Sequence, residues 1–140
     1  MPSPVRELHI KANLASLAIV AEFVSTCCEH WRINAKNAFS IQLAIDEAVT
    51  NVIEHACQKG ECALSIRCWV AQHNFYVRLQ DKGRKFDVND VPEPAIGGPL
   101  AERGPGGLGI YFMRQLMDEV HFGFDENENV LQMVKYNVVP

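Results

Sequence analysis

The sequence predicts an α/β two-layer sandwich: one mixed, mostly antiparallel sheet with its helices on one face. Three observations predict it. Residues 61–70 and 75–81 alternate apolar and polar side chains, as half-buried strands do. The segments before them repeat apolar residues at three-and-four spacing, the mark of a helix buried along one stripe. The strand pairs are joined by short polar turns, which suits antiparallel hairpins. The resulting order is β-α-α-β-β-loop-α-β-β.

Residues 5–11 (VRELHIK) read as a first strand with Leu8 and Ile10 on one face. A helix follows, with a stripe of Leu14, Leu17, Ala18, Ala21, Val24, Cys28 and Trp31. Asn34 is placed to cap the next helix, over about 35–58. Its core face is Ile41, Ala44, Ile45, Ala48, Val49, Val52, Ile53 and Ala56, and Gly60 suits its stop. In the next strand Cys62, Leu64, Ile66, Cys68 and Val70 point one way. A turn at Gln72-His73-Asn74 leads to a strand with Phe75, Val77 and Leu79 inward. From Val91 to Gly107 nine of 17 residues are Pro or Gly, which no regular element survives. Loops of that length in a domain are usually functional or disordered. Apolar residues at Leu108, Ile110, Tyr111, Met113, Leu116 and Met117 announce a helix. A strand at Val120, Phe122 and Phe124, a DENEN turn and a strand from about Val130 to Val138 finish the chain.

The 140 residues are 48% hydrophobic, enough for one domain spanning 1–140 with its own core. A net charge of -4 argues against non-specific nucleic-acid binding, which wants a basic face. It leaves phosphate-bearing small molecules open, because backbone N–H groups bind them without net charge. MPSPVREL has no apolar signal region, and no run approaches the roughly 20 apolar residues that cross a membrane. The expectation is a soluble cytoplasmic protein with no membrane partner. Cys27, Cys28, Cys57, Cys62 and Cys68 are odd in number and form no C-x-x-C pair. They read as small buried hydrophobes in a reducing compartment, with a metal site or a disulfide framework as the alternatives.

Three places carry candidate chemistry. Glu47, Asn51 and His55 follow one another at four-residue spacing along the border of the core face of helix 35–58. Such a line faces either water or a ligand. Asp81 keeps the parity of Phe75, Val77 and Leu79, so its carboxylate points inward at a strand end and needs a partner. That partner is either the fold's own backbone or a ligand N–H. Gly83 permits a close backbone approach. Finally, G104-P-G-G-L-G109 matches G-x-G-x-x-G but follows a Pro/Gly-rich loop rather than a strand, so it is no dinucleotide fingerprint. Glycines before a helix N-terminus still present free N–H groups at the positive end of the dipole, a place for phosphates.

The order of these signals resembles the Bergerat (GHKL) ATP-binding fold shared by histidine kinases, gyrase B and MutL. E47-A-V-T-N51-V-I-E-H55 is similar to its first box, D81-K-G83-R-K-F86-D87 to its second, and G104-P-G-G-L-G109 with the helix after it to its third. Within that family the chain most resembles the small anti-sigma factor serine kinase branch (RsbW-like), over nearly its whole length. The resemblance implies ATP and Mg²⁺ as cofactors. It implies Glu47 as general base, Asn51 as Mg²⁺ ligand, Asp81 as acceptor from the adenine amino group and Gly83 beside the base. Gly104, Gly106, Gly107, Leu108 and Gly109 would wrap the phosphates, with residues 88–107 as the ATP lid. It implies a STAS-domain anti-anti-sigma protein and a sigma factor as partners, and a homodimer. One departure stands in the second box: Arg84-Lys85-Phe86 lacks a glycine that many members carry. The alternative is therefore a non-catalytic binding module on the same fold.

Overall fold

The structure, a computed structural model, describes residues 3–57, 61–85 and 108–140. Strand β1 (Arg6–Ala12) is followed by helices α1 (Ser16–His30) and α2 (Ala35–Asn51). Strands β2 (Cys62–Ala71) and β3 (Asn74–Asp81), helix α3 (Leu108–Leu116), and strands β4 (Glu119–Asp125) and β5 (Glu128–Lys135) complete it. The expected order is the one found. The sheet order is β1-β2-β3-β5-β4, and every pairing among the described residues is antiparallel, where a mixed sheet was expected.

The two hairpins turn more tightly than their sequences suggest. Gln72 and His73 join β2 to β3, and Glu126 and Asn127 join β4 to β5. All four have positive φ, between 50° and 71°. Two consecutive left-handed residues match the right-handed twist of a two-residue hairpin. None of the four is glycine, so the strongest sequence signal for such a turn is missing. The last strand ends at Lys135, and Val138 is buried beyond it, its N–H donating to the His73 carbonyl at 2.9 Å.

The core lies between the sheet and the three helices. Phe75, Val77 and Leu79 of β3 and Leu64, Ile66 and Cys68 of β2 are buried against Ile41, Ile45 and Val49 of α2. Each such side chain contributes about 1.5–3 kcal/mol by leaving water. Asn34 caps α2 as expected, its side-chain oxygen accepting from the Asn37 N–H at 2.8 Å. The α1 stripe differs from its prediction. Leu14 is 77% exposed and precedes the helix, Ala18 and Ala21 face solvent, and the buried line is Val20, Val24, Cys27 and Cys28.

Two features of the α2 end were not foreseen. The α-helix passes at Val52 into a π-helical turn, Val52–Ala56, closed by the Cys57 N–H on the Val52 carbonyl at 3.0 Å. Cys57 is bonded to Cys62 in a disulfide, tying the end of this turn to the start of β2. That corrects the expectation of five reduced thiols; Cys27, Cys28 and Cys68 are free and buried. The predicted stop at Gly60 lies outside the described residues.

Candidate functional site

Asp81 occupies the end of β3 and is buried, as its parity predicts. Its Oδ1 accepts two hydrogen bonds at 2.9 Å, one from the Gly83 N–H and one from Asn129 Nδ2. Asn129 stands directly across from it on β5. Burial pushes the Asp81 carboxyl above its ordinary value, and the bonds from Asn129 and Gly83 partly offset that.

Gly83 is held by the fold itself. A β-carbon there would lie 2.6 Å from both Cβ and the carbonyl oxygen of Ala56, at the end of the π turn. The Arg84 N–H donates to that same carbonyl at 2.9 Å. The close approach that Gly83 permits is thus to the helix end. The cations after it also have work within the chain. Arg84 Nη2 donates to the His55 carbonyl at 3.3 Å, and Lys85 Nζ sits 5.4 Å from the Phe124 ring centroid.

A pocket of about 430 Å³, counted to its open mouth, lies between α2 and the sheet. Asp81 and Asn129 line one part of it and Asn51 another, with Val52, Ala56, Leu79 and Phe122 as apolar walls. A concave, mostly apolar pocket with a few polar groups is the usual form of a small-molecule site. Asn51 is the last residue of the α-helical part, and its Nδ2 is buried with no hydrogen-bond partner among the described residues. Such an orphan is rare in a finished fold and calls for an explanation.

Glu47, one turn earlier, stands at the other side of the same amide. A β-carbon on Gly109 would lie 2.9 Å from Glu47 Oε2 and 3.5 Å from Asn51 Oδ1. The first turn of α3 therefore rests directly on the Glu47–Asn51 pair, and a side chain at position 109 would displace the Glu47 carboxylate. Burial raises the Glu47 carboxyl, with Asp46 and Glu54 adding to it. His55 leaves this line. The wider π turn changes its angular position, and it does not border the pocket; its Nε2 lies 4.0 Å from Glu54 Oε2.

Asn51 and Asp81 thus line one pocket, and Glu47 and Gly109 stand beside Asn51. Leu108 opens α3, while Gly104, Gly106 and Gly107 and the proposed lid lie outside the described residues. A family model described as histidine kinase-like ATPase domain matches residues 10–135.

The chain belongs to that family. The three segments that carry the resemblance lie inside the matched residues. Among curated relatives it is similar to proteins named serine-protein kinase RsbW from Bacillus thuringiensis (strain Al Hakam) and Bacillus cereus (strain 03BB102). Each is 26% identical over 134 residues, covering 93% of this chain and 83% of the relative. Among solved structures it is similar to the RsbU and RsbW domains of a Mycobacterium tuberculosis protein, with a TM-score of 0.69 and 13% identity. That match covers 96% of this chain but 32% of the longer one, and shows the fold. The resemblance carried by the three boxes is to the family found.

Asn129 escaped the sequence reading. Its parity with Leu131 and Met133 was visible, and an inward amide needs a partner as much as an inward carboxylate does. The π turn and the Ala56–Gly83 contact left no comparable signal.

Proposed function

We propose that the chain binds ATP with Mg²⁺ and phosphorylates a serine or threonine of a STAS-type anti-anti-sigma partner, so regulating a sigma factor by partner switching. The observation that carries this reading is the two-ended pocket, with a buried acceptor at Asp81 and an uncommitted amide beside a carboxylate at Asn51 and Glu47. The names of the RsbW relatives support the choice of serine kinase.

The residues fit the group. Asp81 accepts from the exocyclic amino group of adenine while the apolar walls hold the ring. Asn51 offers an amide oxygen, a hard donor suited to Mg²⁺. Its Nδ2, buried without a hydrogen-bond partner among the described residues, remains a donor for a phosphate oxygen. Mg²⁺, when bound, supplies charge neutralisation on the phosphate oxygens. Glu47, its basicity raised by burial, takes the proton of the partner's hydroxyl. Leu108 and Gly109 present backbone N–H groups at the positive end of α3, and Gly104, Gly106 and Gly107 extend that cradle. On this reading residues 88–107 form the lid, the domain spans 1–140, and the protein works in the cytoplasm as a homodimer.

Calorimetry of ATP binding with and without Mg²⁺, on wild type and Asn51→Ala, tests the site. Binding that needs Mg²⁺ and fails in the variant is expected. A transfer assay with a STAS partner follows. Binding without any labelling of such partners would favour the non-catalytic module, and no binding in wild type would sink the kinase reading.

A further inference from the structure

Asn129 does more than fill a strand position. It is buried at the start of β5 and uses its one amide nitrogen twice. Nδ2 donates to Asp81 Oδ1 at 2.9 Å and to the Arg84 carbonyl at 2.8 Å. Arg84 is itself tied through its N–H to Ala56, the residue against which Gly83 packs. A chain of contacts therefore runs from β5 through Asp81 and the loop after β3 to the helix end. Its fixed point is the Asn129 amide.

We propose that Asn129 is a positioning residue that fixes the Asp81 carboxylate as a pure acceptor, and so makes the pocket choose an amino-bearing purine over a carbonyl-bearing one. The inference rests on the nucleotide reading above and deepens it. An ionised carboxylate only accepts, so it matches the amino group of adenine and repels the carbonyl oxygen of hypoxanthine. A protonated carboxyl donates as well and tolerates that carbonyl. Oδ1 is the oxygen engaged by Asn129 and Gly83, so the carboxylate is held from one side within a pocket it lines. Burial alone would favour the neutral acid, and the donated bonds oppose it.

The other ionisable groups on the surrounding elements do not replace Asn129. β5 brings Glu128, which also disfavours the charge on Asp81. β4 ends in Asp125, α2 and its π turn carry Glu47, Glu54 and His55, and β2 places the apolar Leu64 opposite. Lys82, Arg84 and Lys85 follow β3, with the Arg84 guanidinium on the His55 carbonyl and Lys85 over Phe124.

The test measures the affinities of ATP and ITP across pH for wild type, Asn129→Ala, Asn129→Ser and Asp81→Asn, with folding checked by circular dichroism. In Asn129→Ala the acid limb of ATP binding should move up by about one pH unit, and preference for ATP over ITP should fall about tenfold. Asn129→Ser keeps a short donor and should restore part of both; if the alanine variant does not fold, the serine variant is read against wild type for a smaller shift in the same direction. An unchanged pH limb and an unchanged ATP-to-ITP ratio in the folded variants, with Asp81→Asn inactive in binding, would overturn this inference alone. Full ATP affinity in Asp81→Asn would overturn the role of Asp81 and this inference with it, whereas no ATP binding in wild type would overturn the nucleotide reading.

Discussion

The two ends of the pocket are built in opposite ways. At the Asp81 end every visible bond is already made: Asn129 and Gly83 hold the carboxylate, and Ala56 holds Gly83. At the Asn51 end the amide nitrogen is buried without a hydrogen-bond partner among the described residues, and Glu47 meets the first turn of α3 through a glycine. The first end is preorganised and draws its rigidity from the sheet. On the proposed reading, the second end is left for a ligand to complete. Substitutions that remove or overpack a contact at the first end should therefore disturb fold and binding together, whereas at the second they should disturb function and spare the fold.

The sharpest separation is expected at Glu47. Glu47→Gln should slow phosphoryl transfer by about 10²- to 10⁴-fold while ATP affinity, measured by calorimetry, stays near wild type. Equal loss of affinity would mean that Glu47 holds the ligand rather than the proton. Next comes Asp81→Asn, which keeps an oxygen for the Gly83 and Asn129 bonds but loses the charge. ATP affinity should drop by about ten- to a hundredfold with the unfolding midpoint in urea held or raised.

Gly83→Ala probes the closed end by overpacking it. With a β-carbon 2.6 Å from backbone atoms of Ala56, the loop must shift, and stability should fall by about 1–3 kcal/mol in urea unfolding. Asn51→Ala is the mirror case: Mg²⁺-dependent binding should vanish while stability changes by less than about 1 kcal/mol, since no hydrogen bond of its Nδ2 is broken. A large loss of stability there would dissolve the contrast between the ends.

The smallest effect is a pH slope. Glu47 and Asp81 both hold their protons more tightly folded than unfolded, chiefly through burial. The folded chain then binds more protons in the window between the ordinary carboxylate values and the raised ones. Stability from these two groups should fall as pH rises through that window and level off above it. Thermal melts across the acid range check this, and Glu47→Gln and Asp81→Asn should each flatten the slope.

Periodicity was a good guide wherever burial is one-sided. The parity of β3 located Asp81 inside the fold, and the α2 projection named its core face correctly, with Ile53 only partly buried. It failed where geometry departs from a regular period. The π turn moved His55 away from the Glu47–Asn51 line, and the start of α1 was drawn too early through Leu14. Roles fixed by a distant partner stayed hidden for a different reason. Nothing near Gly83 in sequence points to Ala56, and nothing near Cys57 singles out Cys62 from the other thiols. The Cys57–Cys62 bond departs from the reduced thiols expected from the cysteine pattern.

The Asp81–Asn129 bond joins residues 48 apart in the chain. It exists only after β3 has found β5, a pairing that must close a long loop before any contact rewards it. The Asp81 end of the pocket is thus complete only in chains whose sheet is complete, and a ligand that fills it would recognise only those. By mass action a nucleotide at a hundred times its dissociation constant adds about 2.7 kcal/mol to the folded state. Ligand concentration would then set how much of the population is complete, and not only how much of it is occupied.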